Sequence, residues 1–239
     1  MIKSIVNLRR IGNGDRTRTL FRSGDISLVS WSEAFDLSRE LGVQRFIDLR
    51  TPTELVRSDV TPDLLKAGIQ RLQFPMNGAD VEFRQIDRPQ AADYAALYLR
   101  ILRQQRSTIS AIVRTLALSV SVPTLIGCTA GKDRTGVVAA VLLGLLGATD
   151  NEITQDYIAG NELLASASER FEAHWTTKRI SRTTYMQRLV CQESSMRQIC
   201  EGVKGEFGSW EGLVDKTFGS HLAAELRNRF ATNDLHHQK

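Results

Sequence analysis

Ten consecutive residues, Val137 to Leu146, are apolar on every side. The run is about half as long as a membrane-spanning helix requires, so the rest of the chain has to cover its whole circumference. Just before it, Val122 to Ile126 forms a second apolar run, too brief for a helix and read as a buried strand. A buried strand feeding a buried helix needs covering layers. The chain has 239 residues, 42% of them hydrophobic, enough for such a core without disulfides or metals.

The first third alternates short β-like runs with turns. Thr19 to Arg22 leads into Ser23-Gly24-Asp25, a helical pattern covers Ser32 to Leu41, and Arg45 to Leu49 reads as a second strand. A third strand is expected at Ile69 to Phe74, closed by Pro75, and apolar spacing predicts two consecutive helices between Ala91 and Leu118. Beyond Thr149 the pattern is helical almost throughout: Asp150 as an N-cap, then Leu163 to Trp175, Tyr185 to Val203, Trp210 to Phe218 and Leu222 to Phe230. The expected fold is α/β, a central sheet flanked by helices with a helical carboxyl-terminal half. No linker composition or internal repeat divides it, so residues 1–239 are read as one domain. The polar stretch from Ala165 to Thr184 reads either as a solvated helix pair or as a helical flap over a site.

Composition narrows the function. Lys and Arg number 31 against 27 Asp and Glu, a net charge of +4, and the arginines are scattered among acids rather than gathered in a stripe. Nucleic acid is therefore not the expected partner. Cys128, Cys191 and Cys200 are too few and too unevenly placed for a disulfide framework, and no Cys/His grouping has metal-ligand spacing. The amino terminus runs into Arg9-Arg10 without an apolar signal segment, and no run suits a membrane span, so the cytoplasm is expected. His236-His237 reads as a frayed tail, His174 and His221 lack partners at ligand spacing, and Trp31, Trp175 and Trp210 read as core or interface anchors. Oligomeric state is not legible.

The chemistry concentrates between the strand and the apolar helix, in Gly127-Cys128-Thr129-Ala130-Gly131-Lys132-Asp133-Arg134-Thr135-Gly136. A Cys and an Arg separated by five residues, in a loop at a helix amino terminus, can curl so that backbone N–H groups face one concavity and hold an oxyanion. The helix end adds partial positive charge and the Arg134 fork can grip two phosphate oxygens; both favour the thiolate of Cys128. A nucleotide-binding Walker loop is excluded, because it needs four residues between its glycines and Ser or Thr after Gly-Lys; here Gly127 and Gly131 enclose three, and Asp133 follows Lys132. The plain alternative is an inert buried Cys before a turn. The joint occurrence of Cys, Ala-Gly, Arg and Thr at these positions argues against it.

This loop resembles that of the cysteine-based phosphatases, and among them the bacterial tyrosine phosphatase family, whose loop reads His-Cys-x-Ala-Gly-Lys-Asp-Arg-Thr-Gly. Arg22-Ser23-Gly24, Ile47-Asp48-Leu49-Arg50 followed by Glu54, and Gly208-Ser209-Trp210-Glu211-Gly212-Leu213 resemble further landmarks of that family. The resemblance implies a tyrosine-phosphatase-like sheet and a phosphomonoesterase. In it Cys128 attacks phosphorus to give a cysteinyl-phosphate. Arg134 and the loop from Thr129 through Ala130 and Gly131 to Lys132 hold the phosphate oxygens, and Thr135 supports the departing thiolate. It further implies Asp133 as general acid, with Asp80, Asp87 and Asp93 as fallbacks, Lys132 as positive charge at the pocket mouth, and no metal or other cofactor. Asp48 and Arg50 either orient the loop or form a structural ion pair. The implied substrate is phosphotyrosine or a small phosphorylated metabolite such as a nucleoside, sugar or inositol phosphate.

One position departs from the pattern: the family's His before the nucleophile is Gly127. Two readings follow, an active enzyme with altered tuning or a phosphate-binding module that has lost turnover, and the presence of both nucleophile and acid favours the first. Sulfur transfer through a similarly looped Cys128 is a third.

Overall fold

The computed structural model describes residues 2, 5–12, 17, 19–27, 29–55, 61–78, 81–86, 88–214 and 219–231. Among these, the strands β1 (Arg9–Arg10), β2 (Leu20–Ser23), β3 (Arg45–Asp48), β4 (Gln70–Gln73) and β5 (Thr124–Gly127) form one sheet in the order β1-β2-β5-β3-β4. Only β1 runs antiparallel to its neighbour. The helices are α1 (Trp31–Leu41), α2 (Pro52–Leu55), α3 (Thr61–Lys66), α4 (Val81–Gln85), α5 (Ala91–Gln104), α6 (Arg106–Leu118) and α7 (Asp133–Leu145). They continue with α8 (Asp150–Ile158), α9 (Gly160–Ser166), α10 (Glu172–Lys178), α11 (Arg182–Leu189), α12 (Glu193–Phe207), α13 (Trp210–Val214) and α14 (Gly219–Ala231).

Strand alternation divides the core into two layers. Phe21, Phe46 and Leu125 face one side, where they pack with Ala34 and Leu37 of α1 and Leu64 of α3. Leu20, Ile47 and Ile126 face the other, against α5, α6 and α7. Successive strand residues point to opposite faces, so a strand covered on both sides is apolar without interruption. The helix α7 is buried along nearly its whole length, as its all-round apolar sequence requires.

Parallel pairing sets the functional geometry. Ser23, Gly127 and Asp48 stand in register at the carboxyl ends of β2, β5 and β3. The three sequence landmarks that follow these residues therefore meet at one edge, where ligands bind in open parallel sheets.

The strands β2 to β5 and the α5–α6 pair fall where the pattern predicts them, within one or two residues, while the pattern does not predict the two-residue β1. Four details differ. The apolar helix starts at Asp133, so Asp133, Arg134 and Thr135 occupy its first turn. Thr149, rather than Asp150, caps α8: its hydroxyl accepts from Glu152 N and the Glu152 carboxylate accepts from the Thr149 backbone. The expected helix from Tyr185 to Val203 is split, because the Asn161 amide bonds both the N–H (2.7 Å) and the carbonyl (3.1 Å) of Cys191 and takes them out of any helix. Leu163 to Trp175 is likewise broken, by a 3₁₀ turn at Ser168–Phe171. Of the two places read for the tryptophans, Trp31 does not take the core: it is 51% exposed and stacks on Phe35. Among the described residues no helix is long and apolar enough to cross a membrane.

Candidate active site

The loop after β5 turns its carbonyls outward. Asp25 N–H donates to the Thr129 carbonyl (2.8 Å), the Asn7 side-chain amide to those of Ala130 (3.3 Å) and Gly131 (2.9 Å), and Arg22 Nη2 also to Gly131 (2.8 Å). With three successive carbonyls held from outside, the amide N–H groups of the same residues are left facing inward, and none of them meets an acceptor among the described residues. The result is an anion nest joined to the free N–H groups of the first turn of α7. Gly131 closes it at φ 67°, where a Cβ would lie 2.4 Å from the Ser23 carbonyl oxygen; only glycine fits.

Behind the loop, Arg22 pairs with Asp156 of α8, both buried, and Asp156 also accepts from Gly12 N–H (2.8 Å). Sequence reading missed Asn7 and Asp156, since the contacts span more than 100 residues and neither lies in a recognisable pattern.

Cys128 is 3% exposed and opens the loop, immediately after β5. Arg134, five residues beyond it, is 8% exposed. Its Nη1 and Nη2 bond the two Glu54 carboxylate oxygens, each at 2.7 Å, and Nη2 also reaches Thr129 Oγ1 at 3.1 Å. The Leu49 and Met76 carbonyls accept further bonds from Nη1. The Nε–H meets no acceptor among the described residues, and together with the loop amides it is the donor left for a bound anion. Burial alone would raise the Glu54 pKa, but the Arg134 guanidinium and the Thr129 hydroxyl outweigh it and hold this carboxyl down to about 2. Glu54 thus fixes the guanidinium plane. The sequence places it only as the Glu after Asp-Leu-Arg.

Asp133, at the start of α7, accepts a hydrogen bond on Oδ1 from the Tyr98 hydroxyl of α5, and Lys132 Nζ lies 3.4 Å from the same oxygen. Tyr98 in turn meets the Tyr157 hydroxyl at 2.7 Å. Burial, with Asp133 and Tyr157 beside it, pushes the Tyr98 phenol far above its ordinary pKa, so it stays a neutral O–H donor. Thr135 Oγ1 is buried and makes no hydrogen bond among the described residues, which leaves it available to the neighbouring loop.

A model of the tyrosine phosphatase family matches residues 1–232. The chain belongs to that family. A tyrosine-protein phosphatase of Nostoc commune is 31% identical over 140 residues, 57% of this chain and 46% of that protein. The triple specificity protein phosphatase PtpB of Mycobacterium tuberculosis is 26% identical over 246 residues, covering 89% of this chain and 86% of that one. The chain thus spans less than half of the first relative's length and most of the second's. Among solved structures, the core catalytic domain of the PP-IP phosphatase SIW14 from S. cerevisiae aligns over 64% of this chain and 75% of its own, at 17% identity and a TM-score of 0.42.

Within the phosphatase family frame, one expectation needs correction, and of the two readings of Asp48 and Arg50 the ion pair is the one formed. Lys132 does not stand at a pocket mouth: it is fully buried, its Nζ donates to the Arg188 carbonyl (2.7 Å) and it sits 3.8 Å from the centre of the Tyr94 ring. The ammonium has found three partners inside the fold, as a buried cation must. Asp48 and Arg50 form an ion pair, with Arg71 and Asp25 as further members. They lie beside the loop and touch none of its side chains. Of the fallback acids, Asp80 and Asp87 lie outside the described residues, as do His236 and His237, while Asp93 is spent on the N-cap of α5, accepting from Gln90 N–H at 2.7 Å. Cys191 and Cys200 are buried, and burial raises both thiols above their ordinary pKa.

The glycine in place of the phosphatase family's His also has a physical reason. A Cβ at Gly127 would lie 2.9 Å from Ser23 Oγ and 3.0 Å from Phe46 Cε2, so the room a side chain needs is already taken. Gly127→His forces both neighbours aside, an overpacking cost of about 1–3 kcal/mol. The expected result is a lower melting temperature, by about 2–4 °C per kcal/mol, with no gain in kcat/KM. Calorimetry and a p-nitrophenyl phosphate assay check it; higher activity at an unchanged melting temperature would show that the pocket accepts the imidazole.

Proposed function

We propose that the chain is a phosphomonoesterase acting through a cysteinyl-phosphate, on phosphotyrosine or a small phosphorylated metabolite, in the cytoplasm. The single observation behind this reading is that one loop begins at the buried Cys128, has three successive carbonyls held from outside, and ends at an Arg134 fixed by Glu54. In the first step the Cys128 thiolate attacks phosphorus, the S–P bond forms as the P–O bond breaks, and Asp133 gives its proton to the departing oxygen. The loop amides and Arg134 bind the equatorial oxygens, whose charge is held by donors already in place. In the second step Asp133, now a carboxylate, takes a proton from the attacking water; the S–P bond breaks and the thiolate returns, with Thr135 Oγ1 as its donor. The sum is phosphate ester plus water giving alcohol and inorganic phosphate.

Nucleophile, acid and clamp together support turnover over a binding-only role. Rapid acid quenching with p-nitrophenyl phosphate tests the reading: mass spectrometry finds one phosphoryl group added to the peptide containing Cys128. Turnover without any such adduct excludes the cysteinyl-phosphate, and a persulfide at Cys128 formed from a sulfur donor in place of any phosphate release favours sulfur transfer.

A further inference from the structure

Asp133 carries two carboxyl oxygens with unequal surroundings. Oδ1 receives the Tyr98 hydroxyl and faces Lys132 Nζ at 3.4 Å, whereas Oδ2 has no hydrogen-bond partner among the described residues. The Asp133 side chain is 36% exposed, so Oδ2 is the oxygen open to solvent and to a substrate. Tyr98 itself is fully buried in α5 between Tyr94 and Tyr157, and the Tyr157 phenol beside it is 1% exposed. A phenol has one proton to give. With the Tyr98 proton on Asp133, the 2.7 Å contact between the two phenols is completed by Tyr157 donating to Tyr98. The chain Tyr157 to Tyr98 to Asp133 thus runs in one direction, and each bond strengthens the next.

We propose that Tyr98 is a positioning residue for the acid: by donating to Oδ1 it keeps that oxygen an acceptor, places the transferable proton of Asp133 on Oδ2, and holds the carboxyl where it meets the leaving group. With the Tyr98 hydroxyl donating to Oδ1 and the Lys132 ammonium 3.4 Å from it, a proton on that oxygen is disfavoured relative to Oδ2. A carboxylic acid free to rotate would divide its proton between both oxygens and present it to the substrate for only part of the time. Tyr157 supports the arrangement from one step further back. The inference rests on Asp133 being the general acid of the proposed reaction.

The discriminating measurement is kcat/KM for two substrates of unequal need for an acid. The p-nitrophenolate group leaves readily unprotonated, while the phenol of phosphotyrosine, with a pKa of about 10, does not. Asp133→Asn is expected to lose about 10²-fold or more on phosphotyrosine and far less on p-nitrophenyl phosphate. Tyr98→Phe keeps the ring and is expected to lose about ten-fold more on phosphotyrosine than on p-nitrophenyl phosphate. Tyr157→Phe, which leaves Tyr98 intact should the first variant fold poorly, shows the same split at about three-fold. A merely structural tyrosine lowers both substrates by one factor. Equal losses in the tyrosine variants, with the split kept in Asp133→Asn, overturn the role of Tyr98; absence of the split in Asp133→Asn overturns the acid assignment and the inference with it.

Discussion

Cys128→Ser reduces phosphate release by at least about 10⁴-fold, while inorganic phosphate still binds. In the proposed reaction sulfur is the attacking atom, and a serine hydroxyl is a far weaker nucleophile in its place. Among the described residues the carboxylates bonded near the loop do not compensate: Glu54 is already spent on Arg134 and Thr129, and in the proposed first step Asp133 gives a proton. Binding survives for a separate reason. The cradle consists of backbone N–H groups and the Arg134 Nε–H, and the hydrogen bonds that shape it come from Asn7, Arg22 and Asp25, none of which involves the Cys128 side chain. Phosphate titration by calorimetry alongside a phosphate-release assay checks both halves. Residual turnover within a hundred-fold of the parent would mean that another group carries the chemistry.

Arg134→Lys costs about 10²–10³ in kcat/KM and lowers acid stability as well. Lysine is a point charge without a fork, so it cannot hold both Glu54 oxygens and still present a planar donor to the phosphate. Glu54 is held at about 2, below the ordinary carboxylate value of about 4.3, so its pairing contributes stability that is complete above that ordinary value and disappears as pH falls toward 2. Without the bidentate partner the folded pKa rises toward the unfolded one and that contribution shrinks. The variant is therefore expected to unfold at a higher pH during acid titration followed by circular dichroism, with its stability deficit largest near neutrality. An unchanged acid midpoint would show that Glu54 finds an equivalent partner in the lysine.

The strands β2 to β5 were legible as short β-like or apolar runs bounded by turn residues, and the long amphipathic helices because their residues carry the helical period. Breaks in the later helices were not, since Asn161 interrupts the chain at Cys191 through a side chain 30 residues away. The loop announced itself by residue type and spacing, whereas of its supports only Arg22 and Glu54 stood out, as landmarks of the resemblance and without a role. Glu54, Asn7, Arg22 and Asp156 act on it by hydrogen bonds between distant segments, and Tyr98 reads as one more apolar position on a core-facing helix. Lys132 shows the converse: its charge suggested a place facing substrate, and packing gave it one inside the fold.

What the sequence determined by itself is the local element: a buried strand, a turn containing Cys128 and Arg134, and a helix apolar all round, each following from composition over a few residues. The tertiary structure alone decided what that element works with. Register between β2, β5 and β3 brings Ser23, Gly127 and Asp48 to one edge, and with them the segments that turn the loop carbonyls outward, fix Arg134 and fill the space beside Gly127. Backbone propensity acts over neighbours in the chain, whereas pairing, burial and hydrogen-bond satisfaction act over neighbours in space, and the chemistry of this site depends on the second kind.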